Sequence, residues 1–225
     1  MSIKENIERL RDEITDECAR AGRNVSEITV VAASKYADAG GIREAYDAGL
    51  RDFGENRVQE ALAKMESLPA DINWHFIGHL QRNKATKVVG EFDIIHSVDS
   101  LRLAEKINQV ARDRELIQRV MLEINISGEE SKFGLDSRNA EELAAGVSAM
   151  PNIELTGLMT IAPFTTDETV IRAVFRGLRE LRDKLSGKLG KPLPNLSMGM
   201  TNDWRIAIAE GATHLRIGSA IFIGE

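Results

Sequence analysis

The sequence is poor in cysteine, proline and aromatic residues, and short of positive charge. Its single cysteine, Cys18, has no intrachain disulfide partner and no cysteine companion for a structural zinc site. Cys18 falls on the apolar stripe of the first predicted helix, so packing is its expected role. Five prolines in 225 residues mark no linker, and no low-complexity tract or long repeat divides the chain, so one domain over residues 1–225 is expected. With 29 basic against 35 acidic residues, the net charge of −6 excludes a general nucleic-acid binder, which needs surplus cations to displace counterions from phosphate. No apolar run approaches the ~20 residues that a bilayer requires. The start carries Ser2, Lys4, Glu5 and Asn6 rather than an apolar signal core, so no membrane partner and a cytoplasmic location are expected.

What is present reads as a soluble globular protein, 43% hydrophobic and 28% charged. Ser2 and Glu5 have capping-box spacing, and Ile3, Ile7, Leu10, Ile14, Cys18 and Ala21 recur on one helical face before Gly22. After this helix the chain alternates short β-rich runs with helical stretches, the pattern of parallel strands joined by crossover helices. Strands are predicted at 28–34, 51–54, 73–77, 92–97, 120–126, 153–160, 195–198 and 213–217. Helices are predicted at 38–48, 56–67, 80–89, 100–115, 137–149, 167–187 and 202–210, with stops at Gly49, Gly90, Gly190 and Gly211. Eight such strands close into an α/β (β/α)8 barrel of the TIM type more readily than they form an open sheet with two edges. Few residues follow the eighth strand, too few for a full final helix, so the extra N-terminal helix is expected to cover that side.

In a β/α barrel the reactive groups lie at the C-terminal strand ends, and phosphate is commonly held by the loops after strands seven and eight. The seventh predicted strand runs into Ser197-Met198-Gly199-Met200-Thr201-Asn202-Asp203, with hydroxyls at Ser197 and Thr201 ahead of a helix start that would favour an anion. The eighth runs into Arg216-Ile217-Gly218-Ser219, where Gly218 permits close backbone approach and Ser219 adds a hydroxyl. Strand one ends on Lys35, next to strand eight around a closed barrel. A lysine there, partly desolvated by the barrel walls, would be a neutral amine able to form an imine with a carbonyl. Arg216 cannot give up its proton, so facing a pyridine nitrogen it must donate a hydrogen bond and leave that nitrogen unprotonated. Pyridoxal 5′-phosphate carries the aldehyde, the phosphate and the pyridine nitrogen that these three elements ask for.

These residues resemble those of the pyridoxal phosphate homeostasis protein family. The matching stretches are Ala33-Ser34-Lys35, Phe53-Gly54-Glu55-Asn56 with Val58-Gln59-Glu60, Trp74-His75-Phe76-Ile77-Gly78 with Leu80-Gln81 and Asn83-Lys84, Ser197-Met198-Gly199-Met200, and Arg216-Ile217-Gly218. The resemblance implies a barrel like the alanine racemase N-terminal domain, with Lys35 as the Schiff-base lysine and Arg216 facing the pyridine nitrogen. It implies phosphate contacts from Ser197, Thr201, Gly218 and Ser219, with Asn56 near the cofactor. Thr201 stands where the family often has serine and keeps the hydroxyl. The resemblance implies a protein that binds, buffers or delivers the cofactor without catalytic turnover, with apo forms of pyridoxal-phosphate enzymes as transient recipients.

Two enzymatic alternatives share these features. A pyridoxal-phosphate racemase needs a second base on the opposite ring face, and the tyrosines here are Tyr36 beside the lysine and Tyr46 on a helix. A lysine aldolase would use the same phosphate corner but leave the protein colourless. His75 and His79 lack ligands at metal spacing and are expected to be hydrogen-bonded or pocket-lining, and His96 and His214 to be core positions. Lys132, beside Glu129 and Glu130, is the rival amine, disfavoured because acidic neighbours raise a lysine pKa. The cations at 81–87 read as a solvated helix face.

Overall fold

A computed structural model describes residues 2–129 and 133–224. The chain opens with α1 (Ile3–Arg20) and continues through β1 (Thr29–Ala33), α2 (Ala39–Asp47), β2 (Asp52–Glu55), α3 (Val58–Met65), β3 (Asn73–Phe76) and α4 (Ala85–Val88). There follow β4 (Ile94–Val98), α5 (Leu101–Asp113), β5 (Gln118–Asn125), β6 (Leu135–Asp136), α6 (Ala140–Ser148), β7 (Ile153–Met159) and α7 (Glu168–Leu189). The last elements are β8 (Asn195–Ser197), α8 (Trp204–Ala209), β9 (His214–Ile217) and α9 (Ser219–Phe222). The strand order β4-β3-β2-β1-β9-β8-β7-β5, with β4 pairing β5, closes a barrel in which every named strand pair is parallel. The two-residue β6 attaches to β5 outside this ring.

Eight of these strands match the eight expected runs, and the predicted seventh and eighth are β8 and β9. Two details differ. The short β6 was not anticipated, and the helix expected at 80–89 is a 3-10 turn at Arg82–Lys84 followed by the single turn of α4. Gly90, at φ +84, ends that segment, and the Asp93 carboxylate accepts the Trp74 backbone N–H at 2.7 Å where β4 is about to start.

The capping box forms as the spacing predicts, with Glu5 N donating to Ser2 Oγ at 3.2 Å and Ser2 N donating to the Glu5 carboxylate at 2.8 Å. Ile7, Leu10, Ile14 and Cys18 are buried on one face of α1, which packs on α2, α8 and α9. Buried Asn6 donates to the Ile221 carbonyl at 3.0 Å, tying α1 to the one-turn α9. Thus α1 covers the flank where α9 is too short to do so.

The main apolar core lies between the strands and the surrounding helices. A separate small cluster of Ile94, Met121 and Met159 is contributed by β4, β5 and β7. Among the described residues no helix is long and apolar enough to cross a membrane.

Behind the loop that follows β8, the buried Glu210 carboxylate meets Arg172, Arg176 and Arg179 of α7 at 3.1, 3.2 and 3.1 Å. Burial alone raises a carboxyl pKa, but the guanidiniums of Arg176 and Arg172 outweigh it and hold Glu210 below its ordinary value. The unfolded carboxyl titrates near ~4.3, so the stability that Glu210 contributes is present above that pH and is lost as pH falls through the lower folded-state value. Glu210→Gln is therefore expected to flatten the acid limb of a plot of urea midpoint against pH below ~4.3.

Candidate functional site

The loops after β8 and β9 meet at the C-terminal mouth of the barrel. Gly199, at φ +93, turns the chain where a Cβ would lie 2.6 Å from the Ala207 Cβ. Asp203 then fixes the turn by accepting the Met200 N–H at 2.6 Å. Its carboxyl pKa is raised by burial, an effect partly offset by that N–H. The turn carries Thr201 to Ser219, with the two hydroxyl oxygens 3.2 Å apart. Gly218 lies against β1, because Ala32 pairs with Ile217 and a Cβ at 218 would stand 3.2 Å from the Ala33 carbonyl oxygen. Thr201, Gly218 and Ser219 thus form one small cradle beside the end of β1.

Lys35 occupies the turn just beyond β1, two residues past Ala33. The expectation of an amine desolvated by the barrel walls is corrected here, since Lys35 is exposed and its Nζ rests 4.8 Å from the Tyr36 ring centroid. The strand ends before the lysine, so the side chain leaves the walls behind and its neighbour is an exposed aromatic face. Beneath it the turn is held firmly. Buried Ser34 donates its hydroxyl to Glu55 Oε1 at 2.8 Å, and Lys64 Nζ donates to the same carboxylate oxygen at 2.8 Å and to the Ser34 carbonyl at 3.0 Å. Lys64, on α3, is a residue that sequence reasoning missed, and no motif spacing marks it. Asn56 is exposed just after β2, on the same rim, where its backbone packs so closely on Gly78 that a Cβ there would fall 2.4 Å from the Asn56 carbonyl oxygen.

Arg216 lies inside the barrel, 4% exposed. It donates to Ser197 Oγ at 2.6 Å and to the Thr160 carbonyl at 2.9 Å. Burial lowers its pKa to about 10, against the pull of Asp203 and Glu123, so the guanidinium is charged at neutral pH. Ser197, expected among the phosphate contacts, is the last residue of β8. Its fully buried hydroxyl is engaged by Arg216 and by His96 Nδ1 at 2.9 Å, because the last residue of β8 faces the barrel interior and not the turn. His75 and His96 are joined at 2.9 Å and His75 reaches Asp52 at 3.0 Å, so both are hydrogen-bonded interior groups as expected. His214 is buried beside them and accompanies Thr213 at 2.8 Å. His79 lines the rim, stacked 4.1 Å from Phe133 and 3.6 Å from Asp99. Lys132 lies outside the described residues, and among those described no group of three His, Cys, Asp or Glu is disposed to hold a metal.

The alanine racemase N-terminal domain family matches residues 2–225. A pyridoxal phosphate homeostasis protein of Aquifex aeolicus is 43% identical over 223 residues, covering 99% of this chain and 98% of its own length. The chain belongs to the pyridoxal phosphate homeostasis protein family. Its Escherichia coli K12 relative of that name is 42% identical over 227 residues, covering 98% of this chain and 95% of its own. PipY of Synechococcus elongatus, solved with pyridoxal phosphate bound, superposes at a TM-score of 0.87 with 36% identity, covering 98% of this chain and 100% of PipY. An alanine racemase of Clostridium difficile shares the fold at a TM-score of 0.76 and 16% identity, and this chain covers 56% of it.

One further acid belongs to this homeostasis-protein barrel. Glu123 of β5 is 5% exposed, and its Oε2 has no hydrogen-bond partner among the described residues. Burial, reinforced by the Asp99 charge and opposed by Arg216, raises its pKa to about 7. The folded chain therefore holds this proton after the unfolded chain has lost it near ~4.3, and stability falls as pH rises from there through about 7. Glu123→Gln is expected to gain stability over the native chain across that interval and keep the gain at higher pH, measured by urea midpoints at pH 5 and 8.

Proposed function

We propose that this chain binds pyridoxal 5′-phosphate as a single domain over residues 1–225, and that it buffers or delivers the cofactor without turning it over. The observation that carries the reading is the meeting, at one barrel mouth, of the Lys35 turn with a hydroxyl cradle and a buried guanidinium. The residues fit the group. Thr201, Ser219 and the Gly218 backbone would receive the phosphate, and Arg216 spends donors on Ser197 and Thr160 while keeping others for the pyridine nitrogen. Bound, the cofactor would supply an aldehyde carbon, and Lys35 is the residue that would hold it there through its amine. Ser197 holds Arg216, Lys64 holds the lysine turn, and Asn56, just after β2 on the same rim, would lie near the bound cofactor.

A carrier must give up what it holds, and the exposed Lys35 and Tyr36 leave the mouth open to a recipient. Apo forms of pyridoxal-phosphate enzymes are the proposed transient partners, in the cytoplasm. Neither tyrosine favours racemase chemistry. Tyr46 donates its hydroxyl to Asp71 at 2.7 Å, and Tyr36 stands on the lysine's own turn under its ammonium.

The test is transfer. The loaded chain, mixed with an apo pyridoxal-phosphate enzyme, is expected to restore that enzyme's activity while racemising amino acids no faster than free cofactor. Failure to transfer would refute delivery, and racemisation well above the free-cofactor rate would refute the absence of turnover.

A further inference from the structure

A line of hydrogen bonds runs from Arg216 through the barrel interior. Arg216 donates to Ser197 Oγ at 2.6 Å, and Ser197 Oγ lies 2.9 Å from His96 Nδ1. His96 Nε2 lies 2.9 Å from His75 Nδ1, and His75 Nε2 lies 3.0 Å from Asp52 Oδ1. Five strands contribute: β9, β8, β4, β3 and β2. Asp52 is the first residue of β2, at the end of the barrel opposite the cofactor mouth, and its side chain keeps 27% exposure.

With one proton on each imidazole ring, the two ends dictate the sense of the line. A guanidinium can only donate, and a carboxylate can only accept. Ser197 therefore receives from Arg216 and gives its own proton to His96 Nδ1. His96 then carries its proton on Nε2 and gives it to His75 Nδ1, while His75 carries its proton on Nε2 and gives it to Asp52. Every link has one donor and one acceptor, with none left over. Burial, with the charges around it, drives the His96 pKa well below its ordinary value, keeping the ring neutral as this order requires. His214 packs against both rings at 5.9 and 5.8 Å and is likewise kept neutral by burial, its pKa lowered to about 3. Asn73 donates to Asp52 at 3.3 Å, and the charges of Asp203 and Glu123 act on Arg216 from the side.

We propose that Asp52, His75 and His96 are positioning residues that orient the Ser197 hydroxyl and thereby hold the Arg216 guanidinium for the cofactor's pyridine nitrogen. A carboxylate at the far end polarises the whole line, so a group that never touches the cofactor influences how firmly it is held. This rests on the reading that Arg216 meets that nitrogen.

The test uses the full chain with Asp52→Ala and Asp52→Asn. Asp52→Ala removes the terminal acceptor and is expected to weaken pyridoxal phosphate binding about tenfold, the scale of one hydrogen bond to a charged group, and to shift the pH profile of the visible band. Asp52→Asn keeps an acceptor oxygen and is expected to restore most of both. Nitrogen-15 spectra of the ligand-free native chain are expected to show His75 and His96 protonated on Nε2. An unchanged band, pH profile and affinity in Asp52→Ala would overturn the relay, as would a native His96 protonated on Nδ1. If the native chain forms no band with pyridoxal phosphate, the cofactor reading fails instead, and the histidine spectra still decide the relay.

Discussion

Lys35→Ala is expected to abolish the visible absorbance that pyridoxal phosphate gains on the native chain, and to leave nothing for borohydride to fix. The cradle of Thr201, Gly218 and Ser219 and the buried Arg216 do not depend on Lys35 for their geometry. The variant should therefore still bind the cofactor non-covalently and more weakly, in competition with inorganic phosphate. Lys35→Arg sharpens the experiment. It keeps a cation over the Tyr36 ring but offers no amine that can lose its proton and bond to the aldehyde carbon. If charge alone held the cofactor, Lys35→Arg would behave like the native chain. A band that survives in both variants would show that another amine makes the bond.

The second large effect is structural. Gly157 of β7 pairs with Asn195 of β8, and a Cβ at 157 would lie 2.1 Å from the Asn195 carbonyl oxygen and 2.7 Å from its carbon. Both are backbone atoms, so no side-chain rotation relieves the clash. Gly157→Ala must push β8 outward, and overpacking of this kind costs about 3 kcal/mol. For a chain of this size that corresponds to a fall in Tm on the order of 6–12 °C. Because β8 carries Ser197 and leads into the Gly199 turn, cofactor affinity is expected to fall with it. An unfolding free energy, from urea titration, within ~0.5 kcal/mol of the native value would show that the β7–β8 contact is looser than these distances imply.

The barrel was legible because its signals are local. Each strand is a short β-rich run, and the glycine stops at 49, 90, 190 and 211 all have positive φ in the structure, at +91, +84, +64 and +94. The two residues of β6 carry no period that a reader could detect, and the segment 80–89 had helix-forming residues but is shortened by its loop. The meeting of Thr201 with Ser219 was legible for the same reason as the strands, since the barrel rule brings the loops after the last two strands together. Lys35 was legible in position but not in environment, because whether a side chain just past a strand end stays within the walls depends on where the last pair of the ladder falls.

The interior line was not legible at all. His75, His96, Ser197 and Arg216 come from four strands, three of them only three or four residues long, too short for alternation to tell inward from outward positions. Ser197 illustrates the cost. Placed before Met198-Gly199 it reads as a turn hydroxyl, whereas in the barrel it faces inward and orients Arg216. Lys64 escaped notice because its partners, Glu55 and Ser34, lie 9 and 30 residues away.

The most direct measurement is peptide mapping by mass spectrometry of the native chain, loaded with pyridoxal phosphate and reduced with borohydride. A single pyridoxyl adduct on Lys35 is the predicted result. An adduct located instead on Lys132, Lys64 or any other lysine would contradict the account.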